Sequence, residues 1–579
     1  MTANAALRYR ISLSLVVAGW LAFASGAAAR VEITIEGVND ALRSRILSEL
    51  SLALEQDDAA LREPRLRLLH LRAAEEIAKT LQSAGYYHVK VSSELDRSDD
   101  GWRASYRIDR GEPVRMASVV VAIDGDDAAL RARAAAFGMP VGTRLRHPVY
   151  ENEKQALLRL ANQRGYFDAR FTEHEIQVDL ERNRAELRLR LDPGQRYRFG
   201  EIELPYTWLH EDLIRRLIPF HSGEPYDATE LVEVQRTLQD SDYFSLVEVV
   251  SRRDASTDGQ VPIRIDLTPQ PRNRYQVGAG FGTDSGPRLT FRWDNRYINR
   301  AGHRLGAGLS LSRIRQALTS AYTLPFIQGP DTSLGFNATL AHDDTDTSVA
   351  DSAQIGAQRL GKRWGFDENA GISYLYEEFT IGGKRAQTAL LMPGVSWSHT
   401  VRDDEIYPRR GYRVGLGVKG AYHGALSDVS MVQVQLSGKL IRPLGDEGRL
   451  LLRGDFGALY TGDFDRLPAS VRFFAGGDNS LRGFGYRALG PTRAGDVIGG
   501  KYLALGSVEY ERRVTGDWGA AVFTDFGNAL SSLDDAFAIG VGAGLRWRSR
   551  IGVLRVDLAY GRSGHRDGIR LHMTIGPDL

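Results

Sequence analysis

The first half of the chain repeats one pattern of hydrophobic and polar positions three times. Apolar residues at helical spacing, such as Leu66, Ala73 and Ile77, predict an amphipathic helix in the first copy. Alternating apolar and polar positions before and after each helical stretch predict short strands. Each helical stretch ends at an aromatic marker, and the markers recur roughly every 80 residues, at Gly85-Tyr86-Tyr87, Gly165-Tyr166-Phe167 and Asp242-Tyr243-Phe244. The pattern predicts three modules with the element order β-α-α-β-β.

This element order resembles that of the POTRA module, a small α+β domain. The three copies are predicted to occupy residues 30–111, 112–194 and 195–269, with Gly111 and Gly194 at the boundaries. Three unrelated α+β modules are the alternative, and the shared marker, spacing and element order argue against it. A three-stranded sheet has two open edges, which can accept an extended strand from a partner or client unless those edges are shielded.

The second half of the chain has a different pattern. From about Arg272 the helical spacing ends and alternation with a period of two replaces it. Between Phe537 and Trp547 the odd positions are apolar and the even ones small or cationic, which suits lipid on one face and water on the other. A soluble β-sandwich also alternates, but the length of the region favours a transmembrane antiparallel β-barrel over residues 270–579. At roughly 19 residues per strand and connection we expect about 16 strands, although 14 or 18 also fit.

The amino terminus predicts export from the cytoplasm. Arg8 and Arg10 precede an apolar stretch from Ile11 to Phe23, and Ala27-Ala28-Ala29 offers small residues for cleavage. This stretch has about 13 residues, whereas a helix needs about 20 to cross a bilayer. We therefore expect a signal peptide over residues 1–29 in preference to a membrane anchor, with the barrel in a bacterial outer membrane and the modules in the periplasm.

Composition excludes several classes of function. The chain has 74 basic and 73 acidic residues, a balance that gives no support to nucleic-acid binding. It has no cysteine, which excludes disulfides, thiol catalysis and cysteine-ligated metals. The 12 histidines lack metal-ligand spacing, and neither a phosphate-binding loop nor a nucleophile elbow occurs. We therefore expect a protein that is not an enzyme, with no catalytic residue, cofactor or metal.

The candidate functional residues lie in a long barrel loop and on the two strands that follow it. The loop contains Phe474-Ala-Gly-Gly-Asp-Asn-Ser-Leu-Arg-Gly-Phe484, with Arg482 as its cation, and the strands carry Glu509 and Asp525. Both carboxylates alternate with apolar neighbours, so both are predicted to face the lumen, because a carboxylate facing lipid is costly. A loop folded inward would bring the planar guanidinium to both carboxylates. Separate, solvated lumen charges are the alternative.

These motifs resemble those of the BamA/TamA superfamily of outer-membrane insertases. The matching segments are Leu481-Arg-Gly-Phe484, Glu509-Tyr510 and Phe523-Thr-Asp-Phe-Gly527. The first loop position is usually Val or Ile in that superfamily and is Leu481 here. The resemblance implies a lock that holds the loop in the lumen, and its residues are Arg482, Gly483, Phe484, Glu509 and Asp525.

Further features resemble the TamA branch of this superfamily. They are Gly282-Thr-Asp-Ser-Gly-Pro-Arg288, Asp403-Asp404, Tyr407-Pro-Arg-Arg-Gly411 and the final Ile575-Gly-Pro-Asp-Leu579. Three modules also fit this branch, because five are expected in a general insertase and two in a two-partner secretion transporter. The resemblance implies three partners: an inner-membrane-anchored TamB-like protein, unfolded autotransporter or other outer-membrane clients, and outer-membrane lipid. The terminal Leu579 departs from the aromatic terminus usual in outer-membrane barrels.

The resemblance also implies a weak seam between the first and last barrel strands, Arg274–Thr283 and Ile569–Gly576. Glycine lowers strand stability, and proline ends a strand because it has no ladder donor. A seam that opens sideways to template client strands fits both properties, although glycine that relieves crowding at barrel closure is the alternative. The candidate seam residues are Gly278, Gly280, Gly282, Gly576 and Pro577.

We therefore expect an assembly factor that inserts or secretes autotransporter-type clients through the seam without covalent chemistry. The alternatives are a general outer-membrane insertase, a passive pore, a barrel for lipid transport and an enzyme carried on a barrel. Three periplasmic modules and an inward-folded loop argue against the passive pore. The identity of the clients stays open.

Overall fold

The computed structural model describes most of the chain. The described residues are 31–58, 61–98, 101–204, 208–325, 331–549, 552–564 and 567–576. The predicted signal peptide and Pro577 lie outside these residues. Among the described residues, no helix combines the length and the apolar character needed to cross a membrane. The chain divides into two compact units, one of Met1–Arg198 with Pro225–Ala228 and one of Phe199–Glu224 with Thr229–Leu579.

The first module is a three-stranded sheet packed against helices. Its elements are β1 Val31–Glu36, α1 Asp40–Glu49, α2 Ser51–Leu54, α3 Glu63–Ser83, β2 Lys90–Ser98 and β3 Gly101–Asp109. The sheet order is β1-β3-β2, with β1 parallel and β2 antiparallel to the central β3. Alternate β3 residues such as Ala104 and Tyr106 are buried with Leu66 and Ile77 of α3. The four-residue α2 is an addition to the predicted pair of helices.

The second and third modules repeat this arrangement. The second contains β4 Arg115–Ile123, α4 Ala128–Ala135, α5 His147–Gln163, β5 Arg170–Asp179 and β6 Arg184–Asp192. The third contains β7 Arg198–Glu203, α6 Glu211–Arg215, α7 Ala228–Asp240, β8 Phe244–Ser251 and β9 Gln260–Pro269. Their sheet orders, β4-β6-β5 and β7-β9-β8, again place the last strand of each module in the centre. The predicted β-α-α-β-β order is confirmed.

The repeated marker has a conformational cause. Gly85, Gly165 and Asp242 follow the last helix of their modules, and all three have a positive φ, of 90°, 85° and 59°. A residue in the left-handed region ends a helix and turns the chain toward the next element. Glycine adopts this conformation without steric cost and Asp tolerates it, which explains why the marker recurs where each helix ends.

The barrel is one antiparallel sheet of 16 strands. Its first eleven strands are β10 Asn273–Gly282, β11 Gly286–Asn295, β12 Arg304–Ser312, β13 Arg315–Pro325, β14 Ser333–Thr345, β15 Ser348–Arg363, β16 Phe366–Ile381, β17 Lys384–Arg402, β18 Gly411–Ala421, β19 Met431–Leu444 and β20 Gly448–Thr461. A loop with a small hairpin, β21 Thr492–Arg493 and β22 Asp496–Val497, precedes the last five, which are β23 Tyr502–Thr515, β24 Trp518–Leu530, β25 Ala538–Ser549, β26 Gly552–Arg562 and β27 Gly568–Gly576. Each strand pairs with the next, β20 with β23 included. The predicted count of 16 is confirmed.

Residues on the two faces of the barrel differ as the alternation predicts. On β25, Ile539, Val541 and Leu545 are exposed on the outer face. Arg546 on the same strand is 2% exposed and lies inside. An apolar outer band with charged residues inside is the arrangement of a transmembrane barrel.

The barrel is nearly closed, and its first and last strands meet through few bonds. β10 and β27 form no ladder of paired residues within the described part of the chain. Just beyond β10, the Thr283 N–H donates to the Met573 carbonyl at 3.4 Å, and the Met573 N–H donates to Thr283 Oγ1 at 2.7 Å. The strands beside this junction are also short, with 10 residues in β10 and 9 in β27 against 19 in β17.

The third module packs against one end of the barrel, within the same compact unit. The Tyr243 hydroxyl donates to the Gly302 carbonyl at 2.5 Å. Asp242 forms ion pairs with Arg296 at 3.2 Å and with Arg274 at 3.6 Å. The aromatic marker of the third module therefore fastens it to the connection between β11 and β12.

Candidate functional site

The loop between β20 and β23, residues 462–501, folds into the barrel lumen. Its buried apolar residues pack with wall residues such as Leu390, Met392 and Leu505. These loop residues are Leu467, Val471, Phe473, Ala475, Leu481, Phe484 and Leu489. Arg472 closes the loop on itself by donating to the carbonyls of Leu467 and Ile498, each at 3.0 Å. The loop therefore has a core of its own and reaches the wall as an ordered body.

Arg482 contacts three carboxylates on three different strands. It binds Asp525 of β24 through two parallel bonds, from Nε to Oδ2 at 2.8 Å and from Nη2 to Oδ1 at 2.9 Å. Its Nη1 donates to Glu509 of β23 at 2.7 Å and to Asp557 of β26 at 3.0 Å. The guanidinium carbon lies 3.4 Å from the ring centroid of Phe523. The structure thus brings together the three charges predicted from sequence and adds Asp557.

A second arginine, Arg546 of β25, joins the same carboxylates from the wall side. It donates from Nη2 to Glu509 at 2.6 Å and from Nε to Glu511 at 2.9 Å, and from Nη1 to Asp557. Glu511 also accepts from Arg449 Nε at 2.7 Å. The network therefore contains three arginines and four carboxylates, drawn from the loop and from strands β20 and β23–β26.

Sequence analysis missed Asp557, Arg546, Glu511 and Arg449 as members of this site. Each occupies an inward position of its strand, and that parity is the signal that could have identified them. Parity alone does not say which inward charges meet.

The network is buried, and burial determines its energetic weight. Arg482 is 7% exposed and Asp525 is fully buried. Buried charges are tolerated when each is paired and hydrogen-bonded, and removing one partner is strongly destabilising. Loss of Arg482 would therefore leave buried wall carboxylates without their partner, and loss of those carboxylates would leave Arg482 without its own.

Glycines allow the loop backbone to approach the wall. A Cβ on Gly540 of β25 would lie 2.0 Å from the Arg482 carbonyl oxygen. Gly483 has a φ of 95°, and its own Cβ would lie 2.6 Å from the N atom of Gly561. Phe484 is buried beside this contact. Main chain packs on main chain here, which only residues without a side chain permit.

We expect the Gly540→Ala variant to displace the loop and to lower the free energy of unfolding by about 1–3 kcal/mol, the usual cost of overpacking. The added methyl would overlap the Arg482 carbonyl, and the wall is fixed by its strand ladder. Urea unfolding in detergent micelles measures the effect. Gly438→Ala is the matched control, because no atom lies within 4 Å of its added Cβ. Equal unfolding midpoints for the two variants would contradict the close contact.

The loop also reaches the junction between the first and last strands. Asp478 Oδ1 accepts from Thr283 Oγ1 at 3.0 Å and from His572 Nδ1 at 2.6 Å. Asp478 and Asp284 each accept from the backbone N–H of the other, at 3.3 and 2.6 Å. Burial, with the neighbouring carboxylate, raises the pKa of Asp284, which lies in the turn after β10.

The predicted seam residues lie at different distances from this junction. Gly282 ends β10, and a Cβ there would lie 3.6 Å from Asp478 Oδ2 and 3.8 Å from the Met573 carbonyl oxygen. Gly278 and Gly280 share the inward parity of Gly282 further along β10. Gly576 is the last residue of β27.

Comparison with known proteins agrees with this architecture. Residues 299–578 match the Omp85 superfamily domain. The barrel of this chain is thus similar to that domain. Residues 32–110 match the POTRA domain called TamA domain 1. The modules of the first half are POTRA modules, the barrel lies in the outer membrane, and the modules lie in the periplasm.

The curated relatives of this chain are distant in sequence. It is 24% identical over 438 residues to the outer membrane protein assembly factor BamA of Neorickettsia risticii (strain Illinois). The aligned region covers 70% of this chain and 57% of that protein. It is 22% identical over 460 residues to BamA of Neisseria meningitidis serogroup B, with coverage of 72% and 56%. The chain thus spans about half the length of the curated relatives it matches.

A solved structure shares the fold. The crystal structure of BamA from Haemophilus ducreyi lacking POTRA domains 1–3 superposes with a TM-score of 0.67 at 17% identity, covering 80% of this chain and 99% of that one. Because the third module contacts the connection between β11 and β12, that end of the barrel is periplasmic. The turn at residues 283–285 and the loop at residues 462–501 connect strands at the opposite, extracellular end.

Proposed function

We propose that this chain is a TamA-type assembly factor that inserts or translocates autotransporter-type clients through the junction of β10 and β27. The observation that carries the proposal is this junction, where two neighbouring strands form no ladder among their described residues, although every other pair of barrel neighbours does. The match of the first module to a TamA-type POTRA domain supports the branch.

The seam would act through its unpaired backbone. Edge strands present free N–H and C=O groups, and a client strand can pair with them. Gly278, Gly280 and Gly282 leave the second half of the inward face of β10 without side chains, so an incoming strand meets little steric resistance there.

The lock that keeps the loop in the lumen until a client opens the seam would consist of Arg482, Gly483, Phe484, Glu509 and Asp525. While the loop is held, the lumen stays filled. The energy would come from client folding, so the proposed activity needs no enzyme chemistry, cofactor or metal.

The periplasmic part would receive clients and a TamB-like partner. We assign the modules to residues 30–111, 112–194 and 195–269 and the barrel to 270–579. In each module the two outer strands of the sheet are edge strands, β1 and β2 in the first copy, and an extended segment can add to such an edge.

Surface proteomics of the native bacterium, with and without this gene, tests the proposal. Loss confined to autotransporter-type proteins is the expected result. Collapse of all outer-membrane barrels would indicate a general insertase. An unchanged protein profile would overturn the assembly role and favour a pore or a lipid-transport barrel.

A further inference from the structure

Three distant segments of the chain meet at the extracellular end of the seam. Thr283 and Asp284 belong to the turn after β10, Asp478 belongs to the lumen loop, and His572 and Met573 belong to β27. Thr283 joins the other two segments by itself, because its Oγ1 donates to Asp478 and accepts from the Met573 N–H. The described hydrogen bonds across the seam therefore pass through a residue that the loop also holds.

His572 completes this connection from the last strand. Its Nε2 lies 2.9 Å from the backbone N of Gly483, and its Nδ1 lies 2.6 Å from Asp478 Oδ1. The Gly483 N–H is a donor, so Nε2 accepts and the neutral ring carries its proton on Nδ1. One imidazole thus binds the loop at two points, on either side of Arg482.

The cluster of Asp284, Asp478 and His572 has the spacing of a metal site, with ligand atoms within 4.8 Å of one another. The ring tautomer argues against that role, because a protonated Nδ1 has no lone pair for a metal. Both Asp478 oxygens also accept hydrogen bonds already. The geometry is that of a hydrogen-bonded junction.

The loop therefore has two anchors on one short segment. Arg482 and Gly483 bind the wall, and Asp478, four residues before Arg482, binds both strands of the seam. The side chains of Asp478 and His572 are almost completely buried, so water does not compete for these hydrogen bonds. A movement that withdraws the loop from the lumen breaks the seam contacts at the same time.

We propose that Asp478, His572 and Thr283 are positioning residues that latch the extracellular end of the seam shut through the lumen loop. Loop displacement and seam opening are then one event. Only the role of seam opening in client assembly rests on the proposed function. The latch itself is a property of the folded chain.

Distance measurement between two spin labels tests the latch. The chain has no cysteine, so Phe281→Cys and Leu571→Cys provide the only labelling sites, and both native side chains are exposed. In nanodiscs we expect a narrow distribution for the otherwise unchanged chain. Asp478→Asn and the isosteric Thr283→Val are expected to add distances longer by about 5 Å or more, one strand spacing.

Ser285→Ala is the matched control, because Ser285 lies in the same turn and outside the latch. Its distribution is expected to equal that of the parent. If folded Asp478→Asn gives the distribution of the control, the latch is wrong, and if that variant does not fold, Thr283→Val decides in the same way.

Client assembly by the same variants separates the two proposals. Longer distances with normal assembly would keep the latch and remove the seam from the assembly mechanism. Unchanged distances would remove the latch and leave the proposed function to the proteomic test.

Discussion

The Arg482→Ala variant is expected to lose client assembly while its barrel still folds. The substitution removes the cation that contacts Asp525, Glu509 and Asp557. Removing one partner from a buried ion pair costs about 3–5 kcal/mol, which is enough to release a loop held at this point. We expect assembly of an autotransporter-type client to fall at least about tenfold, as a 1.4 kcal/mol loss would already give. Surface display of that client in the complemented deletion strain measures the loss.

The control for this prediction lies in the same loop. Arg493 forms an ion pair with Asp465 at 2.6 Å, but the two side chains are 39% and 48% exposed, and water screens such a pair so that it contributes little. Arg493→Ala is therefore expected to assemble clients normally. Limited proteolysis of intact cells should cut the loop in Arg482→Ala and spare it in the control. Normal assembly with a protected loop in Arg482→Ala would show that the lock has no part in the activity.

The Arg546→Met variant is expected to lower the free energy of unfolding by about 3–5 kcal/mol, the cost of stranding buried carboxylates. Arg546 contacts Glu509, Glu511 and Asp557, and methionine would fill the space without the charge. Its side chain comes from the wall, so this effect concerns the barrel itself. Urea unfolding of the purified protein in micelles measures it.

Arg548→Met provides the comparison on the same strand. Arg548 shares the parity of Arg546 but donates its hydrogen bond to the Gly516 carbonyl at 2.8 Å. Loss of such a bond costs about 0.5–1.5 kcal/mol. Similar unfolding midpoints for the two variants would mean that the carboxylates of the wall are satisfied without Arg546.

Much of the fold follows from periodicity. Lipid outside and water inside impose a period of two on every barrel strand, so the inward facing of Glu509 and Asp525 is readable from their apolar neighbours. The spacing of markers likewise reveals the three modules. The central position of the last strand in each sheet is a matter of topology, and no local pattern predicts it.

The sequence predicts only part of the site, because it shows which charges face inward but not which of them meet. Whether two inward charges meet depends on the register between strands, which sets Ser507 opposite Asp525 and Gly544 opposite Asp557. Arg546 and Asp557 are recognisable as inward charges, but their meeting with Glu509 needs the positions of several strands at once. The latch joins Thr283 to Met573 across nearly the whole barrel sequence, a contact that only closure of the barrel creates.

The charge network also determines where this barrel can bend. Its side chains cross-brace β20 and β23–β26 from inside, so these five strands resist shear between neighbours and behave as one stiff panel. Among the residues that the structure describes, β10 and β27 share neither a ladder nor an ion pair. We therefore expect membrane tension or a bound client to deform the barrel mainly at the seam. The five braced strands then move together, without sliding past one another.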